Sequence, residues 1–259
     1  LTMLGSPIMV EAINGVLQSK LESFQLMCER LEVLDPHDAL FLLRHAFALP
    51  KLTYFLRTSP CFKNTEILKK YDNAMRVALI RILNVGMEDS SWDQCSLPVR
   101  MGGLGVRTAS EVSLPAYLSS VSATFECITP LLPTYLRNEV NPFFTQATFQ
   151  WSNLLSGEDL PILKSVQAAW DIPLCKKRFE KLLQSANTSE DKARLMAVSS
   201  EHASDWLNCV PLPSMSLKLN RQTLRIAVAL RLGSTICKPH KCHCIDKDTG
   251  LPGKVDIKG

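Results

Sequence analysis

The sequence predicts a mostly α-helical protein, and three observations carry that expectation. Apolar residues recur at helical spacing through several long segments. Helix starts and stops punctuate them, with Ser6-Pro7, Asp35-Pro36 and Asn220 at starts and Gly233 at a stop. Strand-like alternation is confined to Leu97, Val99, Leu104 and Val106, which flank Gly102, Gly103 and Gly105. At most one small β-hairpin near that glycine-rich turn is therefore expected.

Taken in order, Ser6 as N-cap and Pro7 at the first helical position predict a helix from about Pro7 to about Leu34. Its apolar stripe is Ile13, Val16, Leu17, Leu21, Phe24, Met27, Leu31 and Leu34. Asp35-Pro36 starts a second helix with Leu40, Leu43 and Phe47, ending near Pro50. Leu52 to Leu56 reads as a short helix broken by Ser59-Pro60. From about Asn64 to Val85 a further helix buries Ile67, Leu68, Tyr71, Met75, Leu79, Ile82 and Leu83 and shows Lys69, Lys70, Arg76 and Arg81 on its other side. Ser113-Leu114-Pro115 opens the next helix, which runs to about Ile128. The segment from Thr129 to Phe149 has no clear pattern, and Trp151 to Trp170 reads as helical pieces divided by Gly157 and Pro161. Cys175–Ala186 and Ser189–Cys209 are amphipathic, the second capped at Thr188-Ser189 with Glu190 and Asp191 in its first turn. Leu217 and Leu219 suggest a short strand, and Asn220 caps a helix over Arg221–Leu232.

Composition fits a globular chain, at 46% hydrophobic and 21% charged residues. The net charge of +4 does not by itself imply a nucleic-acid partner, but it is unevenly spread. Residues 1–159 sum to −3 and residues 160–259 to +7, an asymmetry that favours a polyanionic partner or a solvated basic surface. Six cysteines are scattered, there is no basic-then-apolar leader, and no apolar run reaches membrane-span length. An intracellular, reduced protein with no membrane partner is the expectation. The start, Leu1-Thr2-Met3-Leu4-Gly5, reads like the middle of a larger protein.

Most sequence signals of chemistry fail on the residues that would perform it. Gly103-Leu104-Gly105 begins a dinucleotide pattern, but Thr108 stands where the third glycine belongs and no Gly-Lys-Ser/Thr follows. The carboxylate pairs Glu88-Asp89, Glu158-Asp159 and Glu190-Asp191 read as caps or solvated turns, because none follows an apolar strand that would hold metals. There is no Gly-x-Ser-x-Gly, and His37, His45 and His202 have no partner in sequence. The tail Cys237-Lys238-Pro239-His240-Lys241-Cys242-His243-Cys244 supplies thiolates and imidazoles suited to zinc. It forms only half a site, since no Cys or His follows Cys244. Completion by residues beyond Gly259, completion by a partner chain, and a flexible thiol-rich tail without metal all stay open.

Several of these stretches together resemble one family. Trp92, Leu97-Pro98 and Gly102-Gly103-Leu104-Gly105-Val106-Arg107 resemble the region after the polymerase core of non-long-terminal-repeat retrotransposon reverse transcriptases. Met3-Leu4-Gly5-Ser6-Pro7-Ile8 is similar to their turn from palm to thumb, and Asp35 to Leu56, with Arg44, Pro50 and Arg57, to their thumb helices. Asp205-Trp206-Leu207, Pro211, Leu224-Arg225-Ile226-Ala227, Leu230-Arg231-Leu232-Gly233 and Cys237-x-Pro-His240-x-Cys242-x-Cys244 follow in the family's order. The resemblance covers most of the chain through motifs that are each moderately specific. Two departures matter. The aromatic-x-Asp-Asp polymerase motif is absent, and its place would be upstream of Leu1; Gly250-Leu251-Pro252-Gly253 stands where the family has Gly-His, with its last ligand Cys missing.

The resemblance implies a thumb-like helical bundle over residues 1–91, a glycine-rich turn over 92–112, a C-terminal helical linker over 113–233 and an incomplete zinc-knuckle-like tail over 234–259. It implies RNA and RNA–DNA duplex as partners in the parent protein, with Lys51, Arg57, Lys63, Lys69, Lys70 and Arg76 as phosphate contacts. Such a chain would not polymerise alone and would need no cofactor beyond zinc at Cys237, His240, Cys242 and Cys244; magnesium would belong to the parent polymerase. The chain would then be a cut piece of a polyprotein or a decayed genomic copy. The competing expectation is an α-helical interaction or scaffold module with no nucleic-acid role. Whichever holds, Gly102 or Gly103 should take a positive φ, and Leu104 and Val106 should pack inward.

Overall fold

A computed structural model describes residues 2–7, 9–136, 141–157, 159–162, 164–236 and the pairs 240–241 and 256–257. The fold is mostly helical, as the periodicity predicts. In chain order the α-helices are α1 (Ile13–Leu31), α2 (Pro36–Leu42), α3 (Pro50–Thr58), α4 (Thr65–Leu83), α5 (Asp89–Cys95), α6 (Ala109–Ile128), α7 (Pro142–Leu154), α8 (Gln167–Ser185), α9 (Ser189–Val198), α10 (Asp205–Asn208) and α11 (Arg221–Leu232). A turn of π-helix, Leu43–Phe47, joins α2 to α3. Among the described residues no helix is long and apolar enough to cross a membrane.

Local capping chemistry places several boundaries where the sequence puts them. Asp35 accepts from the His37 amide and Pro36 opens α2. Thr188 caps α9 through the Asp191 amide, and Asn220 caps α11 through the Thr223 amide. Gly233 ends α11 at φ 66°, a left-handed residue that lets the chain turn away. The apolar stripe expected on α4 is buried throughout, from Ile67 to Leu83.

Other expectations are corrected. Ser6-Pro7 does not open a helix. It is a strand paired antiparallel with Thr2–Met3 around Leu4 (φ 50°) and Gly5 (φ 81°). Two consecutive positive φ values make the hairpin turn whose twist suits paired strands. Ser6 Oγ instead lies 2.9 Å from Thr58 Oγ1 and 3.0 Å from Ser59 Oγ, which ties the hairpin to the end of α3. No strand forms between residues 92 and 112, where a hairpin was allowed for. The loop amides bond back to the end of α5, Leu104 N to Cys95 O (3.0 Å) and Gly105 N to Leu97 O (3.0 Å), so there is no ladder to build. Leu217 and Leu219 also form no strand. Leu219 N donates to His37 Nδ1 (3.0 Å) and Lys218 Nζ bonds Asp38 (2.7 Å), which docks that segment on α2. Burial lowers the His37 pKa, in keeping with a neutral ring accepting at Nδ1.

Helix α6 begins four residues before the expected Ser113. Asp72, on α4, accepts from the Ala109 amide (2.6 Å) and the Ser110 amide (3.1 Å). A carboxylate from another helix thus does the work of an N-cap. Pro115 then falls inside the helix without ending it. From Val112 to Ser119 every residue is buried, because α3, α4, α7 and α8 all pack on α6.

The main core joins α1–α4 to α5, the start of α6 and α11. Residues of the 1–91 and 113–233 regions therefore share one apolar interior. A second cluster is built on Trp151 and Trp170, whose rings meet edge-on at 5.2 Å, and a third on Leu97, Cys175, Leu182 and Leu195. Trp151 Nε1 donates to Trp170 O (2.8 Å) and Trp170 Nε1 to Lys164 O (2.7 Å), so both buried indoles are satisfied.

Candidate nucleic-acid interface and the glycine turn

Helix α3 presents two unlike sides. Leu52, Phe55 and Leu56 face the core, while Lys51, Tyr54 and Arg57 recur at a spacing of three and stand exposed on one face. Tyr54 is 44% exposed. Its ring meets Phe55 edge-on at 5.7 Å and 84°. The ammonium of Lys20, from α1, sits 4.8 Å from the Phe55 ring centroid, and that of Lys51 sits 5.9 Å from the Phe47 centroid. Both are within reach of a cation–π attraction, which restrains a long side chain without neutralising it. Lys20 and Lys51 line one small cleft of about 100 Å³ with Ser23, Phe24, Met27 and Phe47, and no carboxylate lines it. Beyond α3, Lys63 lies 4.9 Å from the Phe143 centroid.

Ion pairs take up Arg76, Arg81, Arg107, Arg178, Arg194 and Lys218 and leave Lys20, Lys51, Arg57 and Lys63 unpaired among the described residues. Of the six cations expected to touch phosphate, all but Arg76 thus make no ion pair among the described residues, and two of these five, Lys51 and Arg57, are on the α3 face. Lys69 and Lys70 are exposed on α4. Lys70 opens into a groove of about 570 Å³ between α1 and α4, shared with Glu29, Glu32 and Arg81, where charges of both signs mix. Arg76 is committed to the fold. It bonds Asp89 (2.7 Å) and Met87 O (2.6 Å) and fastens the start of α5 to α4. Tyr54 and Lys20 were missed in the sequence. The spacing of Tyr54 between Lys51 and Arg57 is legible there; the approach of Lys20 from α1 is not.

The glycine turn has a different role. Gly102 takes φ 82° and Gly105 φ 73°, while Leu104 and Val106 are buried, as the sequence predicts. Gly103 is required by space: a Cβ there would lie 2.0 Å from the Leu97 carbonyl oxygen. Around the turn sit three arginines. Arg231 is buried and donates to Gly103 O (3.1 Å), Val99 O (2.9 Å), Ala203 O (3.2 Å) and Ser204 Oγ (2.6 Å). Arg44, in the π turn, donates to Leu207 O, and its Nη2 lies 3.2 Å from where a Gly105 Cβ would stand. Arg194 bonds Asp191, Gln94 and Arg231 O. Gln94 closes the ring by donating to Gly102 O (3.0 Å) and Arg231 O (2.8 Å). Burial, together with the neighbouring Arg44 charge, lowers the Arg231 pKa to about 10. These guanidiniums are held chiefly by carbonyl oxygens, so the turn is the joint at which α5, α9, α10 and α11 meet. Ser204, locked to Val99 O and Arg231, also explains why α9 and α10 are separate helices and not the single one expected over Ser189–Cys209.

A second polar layer lies over α8. Arg107 grips Asp171 with two bonds, 2.6 and 2.8 Å, and Arg178 pairs with Glu111. Burial raises the Glu111 pKa against the pull of Arg178. Burial also raises the thiols of Cys28, Cys61 and Cys95, each to about 12, which makes them inert packing groups. Among the described residues no cluster of His, Cys, Asp and Glu is arranged to hold a metal. Of the zinc ligands read from the tail, Cys237, Cys242 and Cys244 lie outside the described residues, and His240 is described only in its backbone pairing with Ile257. No protein-family model matches the chain, and no curated protein or solved structure matches it.

Proposed function

We propose that this chain is the thumb and post-thumb linker region of a retrotransposon-type reverse transcriptase, which helps hold the RNA–DNA template–primer in its parent protein. The observation that carries the reading is the unpaired cationic face of α3, where Lys51 and Arg57 are joined by Lys20 from α1. Phosphate contacts of this kind position a duplex and give affinity that falls with salt and ignores sequence. The ordered set of motifs from Leu4-Gly5 to Leu230-Arg231-Leu232-Gly233 supports the same reading. No catalytic step is assigned to these residues; polymerisation would belong to a palm upstream.

The test is a binding titration of the whole chain with an RNA–DNA duplex across a range of salt. Affinity should fall linearly on a log–log plot, and Lys51→Ala and Arg57→Ala should each reduce the slope by about one. A folded chain with no salt-sensitive binding sinks the proposal. The alternative, a helical interaction module, draws support from the groove between α1 and α4, where Glu29 and Glu32 offset Lys70 and Arg81. It expects no duplex binding and no effect of the α3 substitutions.

A further inference from the structure

We infer that Tyr54 is a stacking platform for an unpaired base, so that the α3 face engages the junction between a duplex and a single-stranded extension. The inference rests on the duplex-binding reading and specifies which part of the nucleic acid this face meets.

The first ground is the ring's exposure. Tyr54 stands 44% exposed in the middle of a helix whose other large apolar side chains, Leu52, Phe55 and Leu56, are buried. Among the described residues its hydroxyl has no hydrogen-bond partner, so nothing in the fold occupies its polar end. The ring also has a rigid base. Phe55 backs it edge-on at 5.7 Å, and Lys20 rests over Phe55 at 4.8 Å. Thr58 Oγ1 donates to the Tyr54 carbonyl (2.9 Å) and lies 2.9 Å from Ser6 Oγ, which fastens this turn of α3 to the N-terminal hairpin. With the backbone of this turn and the Phe55 ring held, only the Tyr54 side-chain torsions have to be ordered when a base stacks on it.

Cation placement is the third ground. Lys51 and Arg57 lie one helical turn to either side of Tyr54, about 9 Å apart along the axis. Their long side chains can close that span onto the two phosphates that flank a single nucleotide. Exposed aromatic rings interleaved with cations suit single strands, because every base offers a face while a paired base hides both of its own inside the stack. A surface with cations alone would serve duplex phosphates equally well. Only the ring between them adds a contact that an intact duplex cannot satisfy along its length.

The experiment compares the whole chain and its Tyr54→Ala and Tyr54→Phe variants on two probes. One is a blunt RNA–DNA duplex. The other is the same duplex with a short unpaired template extension carrying 2-aminopurine, whose fluorescence is quenched by stacking. Wild type should bind the extended probe about tenfold more tightly than the blunt one and quench the reporter. Tyr54→Phe should keep both effects. Tyr54→Ala should lose the preference and the quenching while keeping the salt slope of wild type, since phosphate contacts remain. Equal affinity of wild type for the two probes overturns the inference, as does an Ala variant that keeps the preference; either result leaves the duplex reading standing. Absence of salt-sensitive binding to both probes removes that reading, and the inference with it. Circular dichroism of each variant confirms that the exposed substitution leaves the fold intact.

Discussion

Gly103→Ala tests whether the glycine turn is architectural. The added Cβ would lie 2.0 Å from Leu97 O, 2.6 Å from Leu97 C and 2.7 Å from Gln94 O. All three are backbone atoms, so no side-chain rotation relieves the contact. Moving the Leu97 carbonyl away breaks the bond it accepts from Gly105 N (3.0 Å), and moving Gln94 O breaks the one it accepts from Leu97 N (3.0 Å). Two hydrogen bonds at about 1 kcal/mol each, with overpacking of about 1–3 kcal/mol, give a loss of roughly 4 kcal/mol. In a chain of this size that corresponds to a fall of about 8–16 °C in Tm. The assay is urea unfolding followed by far-ultraviolet circular dichroism, with Gly102→Ala and Gly15→Ala alongside. Gly102 has φ 82° and would press on a Val198 methyl at 2.8 Å, a side-chain atom that can move, so about 1–2 kcal/mol is expected. Gly15 is an exposed position of α1 with open space around it, and Ala there should stabilise by about 0.5–1 kcal/mol. A Gly103→Ala protein within about 1 kcal/mol of wild type would refute the reasoning, because the turn would then be free to relax.

Three further outcomes follow from polar contacts within the fold. Burial pushes the Asp72 carboxyl up from 3.8 to about 6, although two backbone amides hold the charged form. The folded state therefore keeps a proton that the unfolded chain has already released between about pH 4 and pH 6. Stability from this group is present below that window and lost as pH rises through it, by about 3 kcal/mol. Urea midpoints of wild type and Asp72→Asn should diverge across the window, and parallel pH profiles would contradict the assignment. Arg107→Lys keeps the charge but loses the two-pronged grip on Asp171, at a cost of about 2 kcal/mol by chemical denaturation; a neutral effect would show that the fork is idle. Asn220→Ala removes the cap on the Thr223 amide and should cost about 1 kcal/mol, read from the same curves.

Much of the fold was legible because helices announce themselves locally. The stripe from Ile67 to Leu83 repeats every turn, and each of those apolar side chains is buried. The candidate interface was half legible. Lys51 and Arg57 carry their exposure in the periodicity of α3, whereas Arg76 looks equally free in sequence and is spent on Asp89 and Met87 O. Lys20 reads as one more solvated lysine of α1 until Phe55 is brought beneath it.

The sequence alone determined the helical class, the caps at Asp35, Thr188 and Asn220 and the left-handed stop at Gly233. Each of those outcomes depends on atoms within a few residues of one another, where spacing along the chain is spacing in space. Only the tertiary structure decided that Asp72 starts α6 from another helix, that Ser6-Pro7 is a strand, and that Arg231 closes over Val99 and Gly103 from the far end of the chain. Local preference at such sites is worth about 1 kcal/mol, and a buried charge or amide that must find a partner outweighs it. The partner is set by which helices pack together, and that is a property of the whole core.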